Sequence, residues 1–263
     1  ASDRLVKDIR KIREKKDIKA LVLRVNSPGG SALASDEIWR ELTLLAEEKT
    51  LIVSMGDVAA SGGYYIAAPA HKIYAQRSTI TGSIGVFGVL PYTGKMFRDK
   101  LGIDFDFVQT NQYSNMSINK KLSPREFDMI QEEVEAIYTE FLDIVAAGRN
   151  LSIEQVKKVA KGRVWMGEDA VKIGLVDELG GLRAAMAFAA EKAEIEKPIY
   201  SYYPKSEKDK FSELLMAIAS DEMKVKSSQN VVGKEALKFL EIIKTASQMK
   251  GVQARLPFMI EIE

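Results

Sequence analysis

At 263 residues and 46% apolar composition, the chain can bury the core of one large domain. Its 38 lysines and arginines against 37 aspartates and glutamates leave a net charge of +1, too small an excess to neutralise nucleic-acid phosphates. With no cysteine and one histidine, His71, the chain excludes disulfides, thiolate zinc sites, cysteine nucleophiles and multi-histidine metal sites.

No apolar run approaches the length of a membrane span, and Ala1-Ser2-Asp3-Arg4 is not a signal peptide. The chain opens in a helical pattern, with Leu5, Val6, Ile9 and Ile12 on one face among Lys7, Arg10, Lys11 and Arg13. An α/β domain commonly opens on a strand, so this start reads as a cut into a longer protein. Ala20 to Val25 is an apolar run bounded by charges and by Asn26-Ser27-Pro28-Gly29-Gly30, which predicts a buried strand. A helix follows through Ala34, Ile38, Leu42 and Leu45. Leu51 to Met55 is the next strand, Gly56-Asp57 a turn, and Lys72 to Gln76 a third strand. This alternation implies parallel pairing with right-handed crossovers.

The stretch Ser78 to Gly88 carries Gly82, Gly85 and Gly88, which fit neither a dinucleotide fingerprint nor a P-loop. Asp104 to Thr110 alternates like a strand. Ser123-Pro124-Arg125-Glu126 starts a helix with a serine cap, proline at the first position and a glutamate that closes a capping box, and that helix is expected to end at Ala147, before Gly148. Ser152 to Gln155 repeats the box, Gly167 to Lys172 is a short helix closed by Gly174, and Leu182 to Ala193 is an alanine-rich one. Ile199 to Tyr203 reads as a last strand. Pro204 to Lys208 reads as a charged linker, and the rest as helical, with Leu237, Leu240, Ile243 and Met249 in an amphipathic stretch. The expected division is a domain over 1–197 and a mostly helical extension over 198–263, used for packing against a partner or a missing segment.

Two turns at predicted strand ends carry chemistry. Gly29-Gly30 exposes backbone N–H groups of the kind that an oxyanion site requires. Ala59-Ala60-Ser61-Gly62-Gly63 surrounds a serine with very small residues, which lets a substrate backbone approach its hydroxyl. Either turn alone is ordinary. About thirty residues apart on successive parallel strands, the pair favours a functional reading. Ala59 stands where a G-x-S-x-G elbow has its first glycine, so that motif does not fit.

ALVLRVNSPGG, SMGDVAASGGYYIAAPAHKI, STITGSIGVFGV and GRVWMGEDAVKIGLVDELGG together resemble the signal peptide peptidase A family of bacterial serine peptidases, over roughly residues 1 to 200. The resemblance implies a Clp-protease/crotonase type of α/β fold, built from repeated strand-strand-helix units. It also implies a serine–lysine dyad, assembly into ring-shaped oligomers and degradation of cleaved signal peptides at the membrane. Carried over by motif, the nucleophile falls on Ser61, the oxyanion donors on the backbone N–H groups of Gly30 and Gly62, and the serine that binds the catalytic lysine on Ser83.

The lysine itself does not carry over. The matching segment, Val108 to Asn115, contains none, and Lys95, Lys100, Lys120 and Lys121 read as solvated charges. A serine hydroxyl needs a base, and an unperturbed lysine is neutral only about 0.04% of the time at pH 7. The base must therefore be a desolvated amine held beside a group such as Ser83. The long form of the family has two tandem copies, the first supplying the lysine and the second the serine. This chain resembles the second copy, so its expected partners are that first half or further copies of itself, and a peptide substrate. A membrane anchor is expected outside these residues, on the extracytoplasmic side of a bacterial membrane. No cofactor or metal is expected.

His71, just before a strand, reads as a turn residue, and Glu132, Glu133, Glu135 and Glu140 as a solvated helix face. Tyr64 and Tyr65 admit two readings, groove lining or core. Two rival functions stand beside the peptidase: a non-catalytic assembly module, and a crotonase-type acyl-CoA enzyme.

Overall fold

The computed structural model describes residues 2–201, 203 and 252–255. Residues 2–196 and 252–255 belong to one compact unit. In chain order its elements are α1 (Ser2–Glu14), β1 (Ala20–Ser27), β2 (Gly29–Ser31), α2 (Ala32–Glu48), β3 (Thr50–Ala60), α3 (Gly62–Ala67), β4 (Lys72–Ala75), β5 (Ile80–Gly82) and β6 (Phe87–Gly88). After these come α4 (Gly94–Leu101), α5 (Pro124–Arg149), α6 (Ile153–Val159), β7 (Val164–Met166), α7 (Gly167–Lys172), β8 (Glu178–Leu179), α8 (Leu182–Lys192) and β9 (Val252–Arg255).

The expected parallel core forms around β3, whose residues Leu51 to Met55 are fully buried on both faces. β1 pairs with β3 in parallel from Ala20↔Thr50 to Val25↔Met55, and after an irregularity Ser27 lies opposite Ala59. The other edge of β3 is shared in sequence by β4 near its start and β5 near its end, both parallel. Antiparallel β7 follows β5, and parallel β8 follows β4. Ala185 and Ala189 of α8 pack on Ile52 and Tyr74. The buried Glu41 of α2 accepts hydrogen bonds from Arg10 and Arg13 of α1. A second, three-stranded sheet has the order β2-β9-β6.

Both predicted capping boxes are formed, at Ser123 and Ser152. The structure corrects several other expectations. Gly56 and Asp57 lie inside β3 and not in a turn. A Cβ on Gly56 would fall 2.8 Å from the Asn26 side chain, whose Oδ1 accepts the Val58 N–H, so this glycine serves a close approach within a continuing strand. The long helix passes through Gly148 to Arg149, because a side chain at 148 would meet the Ala68 carbonyl oxygen at 2.2 Å, and it stops at Asn150 in the left-handed region. Asp104 to Thr110 forms no strand. Its alternation serves an aromatic cluster, with Phe105 against Phe97 of α4 at 5.3 Å and against Phe107 at 6.3 Å. Residues 199–201 and 203 are not in a strand either. The linker and the amphipathic stretch around Leu237 to Met249 lie outside the described residues. Val252 to Arg255, read as part of a helical extension, is a strand of the compact unit.

Candidate active site

The pairing of β3 with β5 sets Ala60 opposite Gly82, so Ser61 and Ser83 are the first residues beyond the ends of two adjacent parallel strands. The Ser61 N–H donates to the Gly82 carbonyl at 2.8 Å, which ties the two turns together. Both serines have positive φ, 52° at Ser61 (with ψ −116°) and 49° at Ser83. Such backbone costs a non-glycine residue about 1–3 kcal/mol and persists only where its surroundings enforce it. The enforcement is visible at both. At Ser61 the chain passes from fully buried Ala59 and Ala60 directly into α3. A Cβ on Gly63 would lie 2.6 Å from the Ser27 carbonyl oxygen, so α3 is seated against the corner between β1 and β2. At Ser83 the N–H donates to the Arg163 carbonyl at 2.8 Å, and Gly162 N–H donates to the Ile84 carbonyl at 2.9 Å.

The same corner carries Gly30, in β2, where nothing among the described residues lies within 4 Å of the position a Cβ would take. Gly62 is the first residue of α3, and N–H groups at a helix start have no acceptor within the helix. Strand ends in the order β1, β3, β5 thus set Gly30, Ser61 with Gly62, and Ser83 along one row. All four residues singled out from the sequence meet there.

Ser61 is fully buried, and its Oγ donates only a long hydrogen bond, 3.4 Å, to the Gly85 carbonyl. The Ser83 Oγ is buried and has no hydrogen-bond partner among the described residues; the same holds for the Tyr138 hydroxyl on α5. Both residues line one cavity of about 390 Å³ with Gly85, Phe87, Lys161 and Gly162. Tyr138 and Lys161 were not legible as site residues, since each sits in a helix or turn whose pattern explains it without a site. Lys161 has φ 61° and is exposed, so it lacks the desolvation a lysine base requires.

Among the described residues no lysine is hydrogen-bonded to Ser61 or Ser83. Lys95, Lys100 and Lys121 are exposed, and Lys120 pairs with Glu126 at 3.5 Å. His71 accepts the Leu51 N–H on Nδ1 at 3.1 Å, and its backbone N–H donates to the Leu51 carbonyl at 2.9 Å, which ties it to β3 away from the site. Tyr64 and Tyr65 are core residues: Tyr64 donates to the Leu175 carbonyl at 2.7 Å and Tyr65 to Asp36 at 3.0 Å. Burial, and for Tyr65 also the Asp36 charge, pushes both phenols well above their ordinary range. Among the described residues there is no cluster of three acidic or imidazole ligands that could hold a metal.

Fold and site together define an α/β protein that presents a strained, buried serine at a strand-to-helix turn, beside a second serine and the glycines Gly30 and Gly62. The chain belongs to Peptidase family S49, whose model matches residues 43–196. It is 42% identical over 196 residues to the chloroplastic serine protease SPPA of Arabidopsis thaliana, covering 74% of this chain and 29% of that protein. Protease 4 of Salmonella typhi is 45% identical over 202 residues, 76% of this chain and 32% of its own length. A putative signal peptide peptidase SppA of Enterococcus faecium is 41% identical over 175 residues, 65% of this chain and 50% of its own. The chain thus spans about a third of the first two relatives. Among solved structures, a ClpP1 mutant from Listeria monocytogenes is similar at a TM-score of 0.48 and 16% identity, covering 70% of this chain and 86% of that one.

Proposed function

We propose that this chain is the serine-bearing part of a serine–lysine peptidase whose lysine comes from outside these 263 residues, from another segment of the same protein or a further copy. The observation that carries this reading is the pair of buried, unpartnered hydroxyls of Ser83 and Tyr138 on one cavity beside Ser61. Burying a hydroxyl without a partner costs about 1–3 kcal/mol, and a single group entering this cavity can partner both. A lysine amine, neutral once desolvated there, keeps two N–H donors for these hydroxyls and a lone pair that acts as the base.

In this reading the amine takes the Ser61 Oγ proton as the oxygen attacks a peptide carbonyl. The Gly30 and Gly62 N–H groups hold the oxyanion, each worth about 3 kcal/mol. The amine then passes the proton to the leaving nitrogen, and water releases the acyl group by the same route. The substrates are apolar peptides such as cleaved signal peptides, in keeping with the name of the Enterococcus relative. The working assembly is oligomeric and sits at a bacterial membrane on the extracytoplasmic side. Among the described residues no helix is long and apolar enough to cross a membrane, so the reading places the anchor in another segment.

The test is covalent labelling of the full-length protein with a fluorophosphonate, followed by peptide mapping. The adduct is expected on Ser61 and lost in Ser61→Ala. Labelling of a different serine, or none in a protein that hydrolyses peptides, overturns the assignment.

A further inference from the structure

A second cavity, of about 470 Å³, adjoins the one beside Ser83. It is lined by Tyr138 of α5, by Glu154, Lys157 and Lys158 of α6, and by Lys161 and Arg163 of the turn that leads to β7. Tyr138 and Lys161 line both cavities. Four cations thus share one hollow with a single carboxylate, in a chain whose net charge is +1. Glu154 meets Lys157 at 3.5 Å, and both are exposed, so that pair cancels at most one of the four. Among the described residues Lys158, Lys161 and Arg163 have no carboxylate partner. The Arg163 guanidinium lies over the Trp165 ring, 5.4 Å from its centroid, and the Trp165 Nε1–H donates to the Val159 carbonyl at 3.0 Å.

The turn that carries these cations also builds the candidate active site. The Arg163 carbonyl accepts the Ser83 N–H at 2.8 Å, and the Gly162 N–H donates to the Ile84 carbonyl at 2.9 Å. The first cavity offers Val86 and Phe87 to an apolar side chain, and the second offers positive charge beside it. A concave wall of one sign focuses its field and gathers opposite charge. Cations held around one hollow repel each other, and a carboxylate among them relieves that repulsion while accepting charge-assisted hydrogen bonds.

We propose that this basic cavity is a subsite for a carboxylate of the bound peptide, either its free C-terminus or an acidic side chain, while the apolar part of the peptide lies at Ser61 and Ser83. A peptide released by an earlier cleavage carries such a terminus and an uncut precursor does not, so the subsite favours released peptides. The inference rests on the peptidase reading, but its binding arm is independent of hydrolysis. The test uses the full-length protein and a ladder of apolar peptides of increasing length. Each is made as a free acid and as a C-terminal amide, with a matched pair that carries an internal glutamate or glutamine. Affinity is read by fluorescence anisotropy on the Ser61→Ala form, and KM and kcat on the active form.

At the best length the acid is expected to bind about tenfold more tightly than the amide and to show a KM lower by a similar factor with kcat unchanged. That gap should close as salt approaches about 1 M. Lys158→Gln with Arg163→Gln is expected to bring the acid-to-amide ratio close to one, and Lys158→Arg with Arg163→Lys to keep it. Lys157→Gln with Lys158→Gln, both on the exposed face of α6, gives the same loss without touching the turn at Ser83. A glutamate preference in place of a terminal one identifies the side chain as the source of the carboxylate. Equal affinity and equal KM for every acid and its amide overturns the subsite and leaves the peptidase reading intact. An unchanged acid-to-amide ratio in both glutamine pairs overturns it too, and if those forms sediment as smaller species the cations serve a subunit contact instead. An acid preference in binding, without hydrolysis of any peptide by the active form, keeps the subsite and removes the peptidase reading.

Discussion

Replacing Gly63 by alanine probes what holds the Ser61 turn in place. The added Cβ would lie 2.6 Å from the Ser27 carbonyl oxygen. Close carbon–oxygen contacts begin near 3.3 Å, so α3 and the β1–β2 corner must part by about 0.7 Å. Overpacking of this kind costs about 1–3 kcal/mol. For a domain of this size each kcal/mol moves Tm by about 2–4 °C, giving a fall of about 2–12 °C. The corner carries Gly30 and the helix start carries Gly62, so the same displacement separates the two candidate oxyanion donors. A misplacement near 1 Å costs about a hundredfold, which sets the expected fall in kcat/KM at about 30–100-fold. Gly30→Ala is the stability control, because among the described residues nothing lies within 4 Å of its Cβ position, and its Tm should stay within about 1 °C of the parent. The assays are thermal unfolding by circular dichroism and hydrolysis of a fluorogenic apolar peptide by the full-length protein. A Gly63→Ala form that melts with the parent and cuts within threefold of it refutes the reasoning.

Four further outcomes follow from the same geometry. Ser61→Ala should abolish hydrolysis, by at least about 10⁴-fold, and leave the melting profile close to the parent's, since alanine keeps the Cβ and the backbone strain. Ser83→Ala and Tyr138→Phe should each lower kcat/KM by about 10–100-fold, the worth of one hydrogen bond to a charged amine, and the double variant should lose less than the product of the two. Lys161→Met should retain activity within about threefold in the full-length protein, because an exposed amine is not the base; a loss of a hundredfold or more would make it one. Ser123 donates its N–H and hydroxyl to the buried Glu126 carboxylate, at 2.8 and 2.7 Å, and these bonds hold Glu126 below its ordinary value of 4.5. A carboxyl lowered in the folded state stabilises above its ordinary value, and that stabilisation is lost as pH falls through the lowered one. Ser123→Ala should therefore melt earlier than the parent at neutral pH, with the gap narrowing below pH 4.5, as followed by thermal unfolding across pH.

Local signals carried most of the fold. β1, β3 and β4 announce themselves as apolar runs, and the caps at Ser123 and Ser152 fix two helix starts through bonds within four residues. Reading failed where glycine served proximity instead of a turn, as at Gly56 and Gly148, and where alternation served aromatic packing, as at Phe105 and Phe107. It failed again at β9, whose four residues form a strand only against partners more than 160 positions away. At the site, Ser61, Gly62 and Gly30 stand out by their small neighbours. The positive φ of Ser61 and Ser83, and the orphaned Tyr138 hydroxyl, arise from tertiary contacts that no local pattern encodes.

The split site is tested most directly by hydrolysis of a fluorogenic apolar peptide, comparing this 263-residue chain with the full-length protein and its Ser61→Ala form. Cutting by the intact full-length protein alone is the predicted result, with the base arriving from outside. Cutting by the isolated chain at the full-length rate would contradict it and place the base among these residues.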